Sequence, residues 1–403
     1  MKAANPMTAV LVGGVMLLGA NCVRAGDWPQ WRGPNRDNKV TGFTEPKSWP
    51  KELTRKWKVS VGLGDASPVL VGDKVYVFTR QGEDEVTLCL DAGKGTELWR
   101  DKYAAREVTG AGRGHPGPRC SPAAAEGKIC TLGVAGVLSC LDADKGTVVW
   151  RKDSKAWPRF FTASSPMIVD GMCIAQLGTD GKGDLVAYDL AGGDEKWKWS
   201  GAGPGYASPV LMTVGGTKQI VALTSQSVVG VGAADGKLLW QVPFKARYNS
   251  VTPIVDGQTV FYAGEGSGTT AVKVEKTGDD FAAKELWTNK GGPGKYNTPV
   301  LKDGLLFGLS GGRTFYCMKA ETGEVLWTDG TRRGECGAVL DAGDVLLALT
   351  SDSQLVAFKP GDKEYAETAK YKVADSATWA YPIISGNRVF VKDKDSLTLW
   401  TME

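Results

Sequence analysis

The chain has 403 residues, with 48 lysines and arginines against 45 aspartates and glutamates, and a formal net charge of +3 at pH 7. This balance gives no reason to expect nucleic acid or an anionic membrane surface as a partner. Hydrophobic residues make up 42% and charged residues 23%, which is typical of a folded globular protein and excludes bulk disorder. The 53 glycines, 19 prolines and 14 tryptophans predict many turns between short, well-packed strands.

The N-terminus has the pattern of an export signal. An apolar run over residues 9–20 is too short to cross a bilayer and has the length of a signal-peptide core. A small residue, Ala25, precedes Gly26, where cleavage would fall. Residues 1–25 are therefore predicted to be a signal peptide, and the protein is predicted to be exported to the periplasm or the extracellular space.

Cys22 leaves an alternative for the N-terminus, since a lipidated cysteine would tether the protein to a membrane. Asn21, however, stands where a lipidation signal has a small residue. No later stretch is apolar for long enough to cross a bilayer, so no transmembrane span is predicted. The mature chain is predicted to be a monomer in which residues 26–52 form an N-terminal extension.

One repeat accounts for nearly all of residues 53–403. In five segments a small residue stands ten positions before a tryptophan, and a glycine stands four positions before that tryptophan. The small residues and tryptophans are Cys89 and Trp99, Cys140 and Trp150, Ala187 and Trp197, Gly230 and Trp240, and Cys317 and Trp327. The glycines are Gly95, Gly146, Gly193, Gly236 and Gly323.

A second landmark, an X-Pro pair, precedes each unit and opens a short β run. The pairs begin at Ser67, Ser121, Ser165, Ser208, Thr252, Thr298 and Tyr381. The tryptophans recur at intervals of roughly 40 to 50 residues, and each interval holds four strand-sized runs, which is typical of a β-propeller blade. The runs alternate with period two and are broken by glycine and proline, which excludes helical repeats.

The two ends of the repeat region predict eight blades. The C-terminal part has three strand-like runs, over 382–385, 388–392 and 396–402, and no fourth. Residues 53–62, which carry Trp57, are a spare fourth strand. Pairing the two ends completes an eighth blade and removes unpaired sheet edges. The predicted fold is therefore an all-β, eight-bladed β-propeller, closed by pairing of an N-terminal strand with the C-terminal blade.

The repeated residues have predictable physical roles. Each tryptophan is expected on the outer strand of a blade, packed against the neighbouring blade. The glycine permits a positive φ in the turn between the third and fourth strands. Aspartates in these turns are expected to hydrogen-bond the local backbone, as at Asp91, Asp142 and Asp189.

This small-x-Asp-x-x-x-Gly-x-x-x-Trp pattern resembles the tryptophan-docking motif of pyrroloquinoline-quinone-type (quinoprotein-like) eight-bladed propellers. The resemblance covers residues 53–403, and residues 27–34 are similar to the start of secreted propellers of this kind. The superfamily includes quinone-dependent alcohol dehydrogenases and a propeller lipoprotein that assists outer-membrane protein assembly. Because its members differ in activity, the resemblance implies the fold and leaves the function open.

A ligand site is expected in the funnel above the central channel, lined by the loops that lead into the first strand of each blade. The residues two positions before the X-Pro landmarks include an acid pair, an arginine and aromatic side chains. With an arginine near the last of these loops, the candidates for ligand binding are Asp65, Arg119, Tyr206, Tyr296, Arg333, Glu335 and Trp379. This ring suits an anionic or carbohydrate-like ligand; the alternative is a set of ordinary polar and aromatic loop residues.

A quinone cofactor would need cationic clamps, a stacking aromatic ring and a calcium ion. The dehydrogenases that the chain resembles have an adjacent pair of cysteines beside the quinone, and no two cysteines here are adjacent. Their calcium ligands and catalytic aspartate match no position in this chain. No catalytic residue, metal site or cofactor is predicted, and pyrroloquinoline quinone with calcium belongs only to the dehydrogenase alternative.

The sequence assigns no functional role to the cysteines or to the single histidine. Cys89, Cys140 and Cys317 occupy the small-residue position of the repeat and are predicted to be buried packing residues. Cys130 flanks the same hairpin turn as Cys140, so a cross-strand disulfide there stays open. His115 lies in the longest interval and is expected on a solvated loop.

The leading functional hypothesis is a non-catalytic binding or scaffolding module for a protein, peptide or glycan partner in the cell envelope. It depends on the export signal, the repeat and the missing catalytic constellation. The first alternative is a pyrroloquinoline-quinone-dependent alcohol or sugar dehydrogenase. The second is an outer-membrane protein assembly factor, which the resemblance permits and no local motif supports.

Overall fold

The computed structural model describes residues 26–292 and 295–403, so the predicted signal peptide and Cys22 lie outside the described residues. Within this part of the chain, 32 strands form eight four-stranded sheets. All strand pairs are antiparallel, and seven of the sheets follow the chain order from first to fourth strand. The predicted all-β, eight-bladed propeller is confirmed.

The strands are numbered β1 to β32 along the chain, and blade 1 begins with β2. Blades 1 and 2 consist of β2 (Val69–Val71), β3 (Lys74–Gln81), β4 (Asp84–Asp91), β5 (Glu97–Ala104), β6 (Ala123–Ala125), β7 (Lys128–Leu132), β8 (Val137–Asp142) and β9 (Val148–Asp153). Blades 3 and 4 consist of β10 (Met167–Val169), β11 (Met172–Gly178), β12 (Gly183–Asp189), β13 (Glu195–Gly201), β14 (Val210–Val214), β15 (Thr217–Leu223), β16 (Ser227–Gly232) and β17 (Leu238–Pro243). Blades 5 and 6 consist of β18 (Ile254–Asp256), β19 (Thr259–Gly264), β20 (Gly268–Thr277), β21 (Asp280–Asn289), β22 (Val300–Lys302), β23 (Leu305–Leu309), β24 (Phe315–Lys319) and β25 (Val325–Thr328). Blade 7 consists of β26 (Gly337–Asp341), β27 (Leu346–Thr350), β28 (Gln354–Lys359) and β29 (Ala366–Lys372).

Blade 8 joins the two ends of the repeat region. It consists of β30 (Ile383–Ser385), β31 (Arg388–Lys392), β32 (Ser396–Thr401) and β1 (Thr54–Ser60). The N-terminal strand β1 pairs with β32, with Trp57 opposite Leu399. The predicted closure of the ring is therefore confirmed, and the outer edge of β32 is covered by β1.

The repeated tryptophans join each blade to the next. Trp99, Trp150 and Trp197 each donate an indole N–H to a backbone carbonyl in the third-to-fourth-strand turn of the following blade, at 3.0–3.1 Å. The glycine of that turn has a positive φ and lies under the incoming ring, as Gly146 (φ +71°) does under Trp99. The turn aspartates bond the local backbone as predicted; Asp142 accepts from two successive N–H groups at 3.0 Å.

Three junctions depart from this pattern. The indole N–H of Trp327 donates to the Gly361 carbonyl of blade 7 at 2.9 Å, but its ring meets Tyr365 rather than a glycine. The Trp240 indole N–H bonds the Gln219 side chain of its own blade at 2.6 Å, because blade 5 replaces the glycine turn with a long hairpin between β20 and β21. In blade 7, Tyr371 replaces the tryptophan, and its hydroxyl donates to the Pro50 carbonyl at 2.8 Å. There the segment that leads into β1, rather than a glycine turn, receives the aromatic ring.

Hydrogen bonds join neighbouring X-Pro landmarks around part of the central channel. The backbone N–H of Ser67 donates to the hydroxyl of Ser121, and the N–H of Ser121 donates to the hydroxyl of Ser165, at 2.9–3.0 Å. These bonds continue across the closure, where the N–H of Tyr381 donates to the Ser67 hydroxyl at 2.7 Å. A hydroxyl before the proline thus connects the first strand of one blade to the first strand of the next.

The N-terminal extension fills one end of the channel, which the repeat does not predict. Residues 26–40, here termed the plug, run from blade 1 to blade 7 through single bridges of Trp28 to Leu70 and of Lys39 to Asp341. Trp28 is buried, and so are the two arginine side chains of this segment, Arg32 and Arg36.

The cysteines are packing residues, as the repeat predicts. Every cysteine in the described part of the chain is buried with a free thiol. Cys130 and Cys140 lie directly opposite each other on β7 and β8, so the predicted juxtaposition is correct, but no bond joins them. Burial raises the pKa of the Cys130 thiol well above its ordinary value.

Replacing Gly146 with alanine tests the contact between blades. An alanine Cβ at this position would overlap the Trp99 ring, which the Ala143 carbonyl holds in place at 3.1 Å. We expect Gly146→Ala to lose about 1–2 kcal/mol for the positive φ and a further ~1–3 kcal/mol for the overlap. Chemical denaturation measures the loss as a change in the free energy of unfolding.

Gly127→Ala in the same blade is the matched control. Gly127 has nearly the same φ, +70°, and nothing lies within 4 Å of an added Cβ. It should lose only the conformational part, about 1–2 kcal/mol. Equal losses in the two variants would contradict a stabilising role for the tryptophan–glycine contact.

Candidate functional site

A cavity of about 410 Å³ opens at the centre of the ring, on the side where loops lead into the first strands. We term it the funnel. The side chains that line it are mainly aromatic and hydroxyl-bearing, with a small charged group from the first two blades. They include Trp31, Asp65, His115, Arg119, Phe160, Tyr206, Tyr248, Ser250, Thr252, Tyr296, Trp379 and Tyr381.

The plug forms the floor of the funnel. Trp31 packs against Tyr381 with ring centroids 4.4 Å apart, and its indole N–H donates to the Thr252 hydroxyl at 3.0 Å. Tyr381 is buried, and burial raises the pKa of its hydroxyl to about 12, so the floor is uncharged at neutral pH. The funnel is therefore closed at its base.

The insertion between blades 1 and 2 covers part of the mouth. A 3-10 turn over Gly110–Gly112 precedes Arg119, whose guanidinium donates to the carbonyls of Gly112, His115 and Phe160. No carboxylate in the described part of the chain lies within ion-pair distance of Arg119, and burial lowers the pKa of its guanidinium. The nearby charge of Asp65 opposes that shift, but the oxygens that contact the guanidinium are neutral carbonyls, so the mouth of the funnel favours an anionic group.

The structure corrects the expectation that His115 lies on a solvated loop. Its side chain is about one-third exposed and lines the funnel, with Nδ1 2.6 Å from a carboxylate oxygen of Asp65. The edge of its ring meets Trp379 at a centroid distance of 4.8 Å. The hydrogen bond to Asp65 raises the pKa of His115 above its ordinary value, and partial burial opposes the shift.

A buried lysine fixes the backbone that leads into Asp65. Lys392 on β31 donates to the carbonyls of Gly62 and Gly64, which fixes the backbone directly before Asp65. Burial lowers the pKa of Lys392 to about 8, and the nearby charge of Asp65 opposes that shift. The carboxylate of Asp65 thus bonds His115 directly and interacts with Lys392 through charge alone.

Aromatic rings form the walls. Phe160 meets both Tyr206 and Tyr248 edge-on, with centroid distances of 5.9 and 5.5 Å. On the other side, Tyr296 meets Trp379 at 6.1 Å. The Tyr296 side chain is 41% exposed, so this ring faces solvent at the mouth.

Glu335 lies at the rim rather than beside Asp65. Its carboxylate is 3.6 Å from the Lys295 ammonium and 3.8 Å from the Arg313 guanidinium, both partly exposed. The two members of the predicted acid pair therefore contact different cations, Asp65 with His115 and Glu335 with the rim.

Arg333 does not belong with the other candidates. Its guanidinium is buried beneath blade 6, 2.6 Å from Asp329, and stacks 3.9 Å from the Phe315 ring centroid. Its guanidinium also lies 5.2 Å from the ring centroid of Tyr365, so it joins β24 to the turn between β28 and β29 of blade 7. The guanidinium of Arg333 makes its contacts in the interior, and Arg333 does not line the funnel.

The residues present do not fit a calcium–quinone centre. A tricarboxylate quinone needs several cations, and the funnel lining offers Arg119 and a protonated His115. No three histidine, cysteine or acidic side chains among the described residues are grouped so that they could hold a metal ion. Cys336 lines the funnel without a second cysteine beside it.

The sequence placed some of these side chains and missed others. Asp65, Arg119, Tyr206, Tyr296 and Trp379 line the funnel because each stands two residues before an X-Pro landmark. The sequence did not predict that Trp31, Phe160 and Tyr248 line the funnel. The aromatic start of the plug was a signal for the first of them, and no repeated pattern marks the others.

The single histidine permits a direct test of the Asp65 contact. In tag-free protein, the ring-proton NMR signal of His115 should titrate with a pKa above the ordinary histidine value of about 6.5, and in Asp65→Asn the pKa should fall towards or below that value. The stability contributed by this hydrogen bond is complete below the unfolded-state pKa and is lost as pH rises through the raised pKa of the folded protein.

Asp180→Asn is the control for that titration. Asp180 lies near the same funnel, 3.3 Å from the Tyr206 hydroxyl, and has no contact with the histidine ring in the described structure. The pKa of His115 should be unchanged in this variant. A histidine pKa that is equally low in wild type and in Asp65→Asn would contradict the contact.

Comparisons with known proteins identify the family. The family profile described as "Outer membrane protein assembly factor BamB" matches residues 82–329. A protein of that description from Burkholderia pseudomallei (strain K96243) is 26% identical over 352 residues, which cover 77% of this chain and 88% of that protein. Methanol dehydrogenase (cytochrome c) subunit 1 from Methylorubrum extorquens is 27% identical over 197 residues, but these cover 43% of this chain and 30% of the enzyme.

Among solved structures, the quinohemoprotein alcohol dehydrogenase ADHIIG from Pseudomonas putida HK5 superposes with a TM-score of 0.68 at 14% identity, covering 94% of this chain and 80% of that chain. At this identity the likeness shows a shared fold alone. No helix among the described residues is long and apolar enough to cross a membrane. The resemblance to quinoprotein-type propellers is confirmed, and the profile match over more than half of the sequence shows that this chain belongs to the family of outer membrane protein assembly factor BamB.

Proposed function

We propose that the protein is an exported, non-catalytic propeller that binds a partner protein in the cell envelope through its funnel. The observation that carries the proposal is the funnel itself, which is closed at its base by Trp31 and Tyr381 and walled by aromatic rings around Arg119. Such a cavity has the apolar lining and the few polar groups of a binding pocket.

The chemistry of the funnel favours a partner segment with an aromatic or apolar side chain next to an acidic group. Rings such as Tyr296 and Trp379 offer large contact areas, and ordering them costs little conformational entropy. Arg119 brings a guanidinium with no carboxylate within ion-pair distance in the described structure, so an incoming carboxylate would supply the missing charge. His115 adds positive charge when it is protonated.

The relatives favour a protein over a glycan or a free peptide as the partner. The Burkholderia relative is named for outer-membrane protein assembly, and the alignment spans 88% of its length. We extend that role to this chain, as an assembly factor whose funnel receives a segment of another envelope protein. Export through residues 1–25, which lie outside the described residues, would bring it to that compartment.

Two observations disfavour the alternative function, a quinone-dependent dehydrogenase. The alignment with methanol dehydrogenase covers 30% of that enzyme, so most of the enzyme has no counterpart in the match. The funnel also lacks the set of cations that a tricarboxylate cofactor requires.

Photo-crosslinking at the mouth of the funnel tests the binding role. A benzoylphenylalanine at Tyr296 should form an adduct with an envelope protein in cells, because this exposed ring would contact the bound segment. Adding Trp379→Ala should weaken the adduct by about tenfold or more, as expected for an aromatic anchor in a binding pocket. Gel shifts and mass spectrometry would give the yield and the partner.

Leu286 provides the matched control position. It is 49% exposed on the outer strand of blade 5, away from the funnel lining. Crosslinker there should give no adduct with the same partner. Equal adducts from both positions, or yields unaffected by Trp379→Ala in a variant that retains its melting temperature, would contradict binding through the funnel.

Adding pyrroloquinoline quinone and calcium to the purified protein tests the dehydrogenase alternative. Pyrroloquinoline quinone with calcium should leave the melting temperature within about 1 °C of the cofactor-free value, because a ligand stabilises a protein only as far as it binds the folded state. Dye reduction with alcohols should equal the protein-free background. A saturable rise in melting temperature together with alcohol-dependent dye reduction would favour the enzyme instead.

A further inference from the structure

Two arginine side chains of the plug are buried in the central channel without a carboxylate partner. Arg32 has no exposed surface and Arg36 is 3% exposed. Among residues 26–292 and 295–403, no aspartate or glutamate forms an ion pair with either guanidinium. Guanidinium groups stay charged in proteins, so this channel contains two positive charges that must be balanced by other means.

Arg36 shows how the propeller can satisfy such a group with neutral oxygens. Its Nε donates to the Gln30 side chain at 2.8 Å, and its terminal nitrogens donate to the backbone carbonyls of Ser165, Pro166 and Pro209. These carbonyls belong to the X-Pro landmarks of blades 3 and 4. Each nitrogen of this guanidinium therefore has an acceptor.

Arg32 is different, because most of its hydrogen-bonding capacity is unused. One terminal nitrogen, Nη2, donates to the Pro299 carbonyl at 2.7 Å, whereas Nε and Nη1 have no partner in the described structure. The hydroxyl of Tyr381, which interacts electrostatically with Arg32, is also buried, and Thr298 is the one polar neighbour among the described residues that acts on it by hydrogen bonding. A buried cation with open donors next to an open hydroxyl is costly unless an acceptor satisfies them.

Burial lowers the pKa of Arg32, and the nearby Tyr381 and Asp37 oppose the shift. Asp37 is turned towards the backbone of its own segment, where its carboxylate accepts the Lys39 N–H at 3.1 Å. The charge of Arg32 therefore has no direct counter-ion within the described residues.

We propose that a small monovalent anion of the size of chloride binds in the channel beside the funnel floor, held by Nε and Nη1 of Arg32 and by the hydroxyl of Tyr381. An anion accepts from all three open groups and also balances the buried charge. A small ion suits the site because the plug and the ring of X-Pro landmarks enclose it. The anion is a structural ligand that joins the plug to blade 8, independent of what the funnel binds.

Bromide in place of chloride makes the ion visible. In crystals of the wild-type protein grown or soaked in bromide, anomalous diffraction should give a peak within hydrogen-bond distance of Nε and Nη1 of Arg32. In solution, the melting temperature should rise by a few degrees between 1 and 100 mM chloride. Gluconate makes up the remaining anion, so that the ionic strength stays constant as chloride replaces it. Gluconate is too large for an enclosed site and controls for general salt effects.

Arg32→Gln should abolish the chloride dependence, and Arg55→Gln, which removes an exposed arginine, should preserve it. If Arg32→Gln does not fold, the wild-type diffraction and titration decide the question. The proposal is overturned by electron density of ordered water without an anomalous peak. A peak without chloride dependence in solution, or a chloride dependence that Arg32→Gln retains, would also overturn it.

Discussion

The architecture depends on an indole ring that most blades place over the turn of the next. The ring needs two things from its neighbour: a carbonyl that accepts its N–H, and a glycine surface with no Cβ in the way. Trp99 finds both at Ala143 and Gly146, and Trp150 finds them at Leu190 and Gly193. Burying about 200 Å² of indole stabilises a junction by up to about 5 kcal/mol, so the repeat itself joins the blades into a ring.

A ring of blades leaves a channel along its axis, and the plug determines what that channel becomes. Arg36 satisfies carbonyls of blades 3 and 4, while Trp31 reaches the hydroxyl of Thr252 in blade 5. The plug thereby connects blades that are distant in sequence and closes one end of the axis. Because of this closure the opposite end is a cavity with a floor, suited to holding one segment of a ligand rather than passing it through.

The sequence predicted most of the fold because the fold is made of one local pattern repeated. Closure by β1 followed from counting strands, and Trp57 indeed lies opposite Leu399. The turn glycine was predicted for its positive φ alone. That it also receives the tryptophan of the preceding blade depends on contacts between units, which a pattern within one unit does not contain. For the same reason the plug, which has no repeat, was predicted only as an extension.

The repeat predicted part of the funnel lining, for the same physical reason. Asp65 and Arg119 were identified because the repeat fixes where each loop meets the axis. His115 was misjudged, since its contact with Asp65 joins residues 50 positions apart through an insertion that no other unit has. Arg333 was misjudged in the opposite sense, because Asp329 and Phe315 draw its guanidinium into the interior.

Comparison with the enzymes of this fold shows which feature of the funnel decides its use. The propeller supplies rigid strands and a closed floor in either case, so the overall superposition does not separate an enzyme from a binding module. The difference lies in the charges at the axis. Here the carboxylate of Asp65 is bonded to His115, and the described lining leaves Arg119 as a cation that no carboxylate contacts directly. One unpaired cation among aromatic rings suits the recognition of a single acidic segment, whereas a metal-bound tricarboxylate would need several.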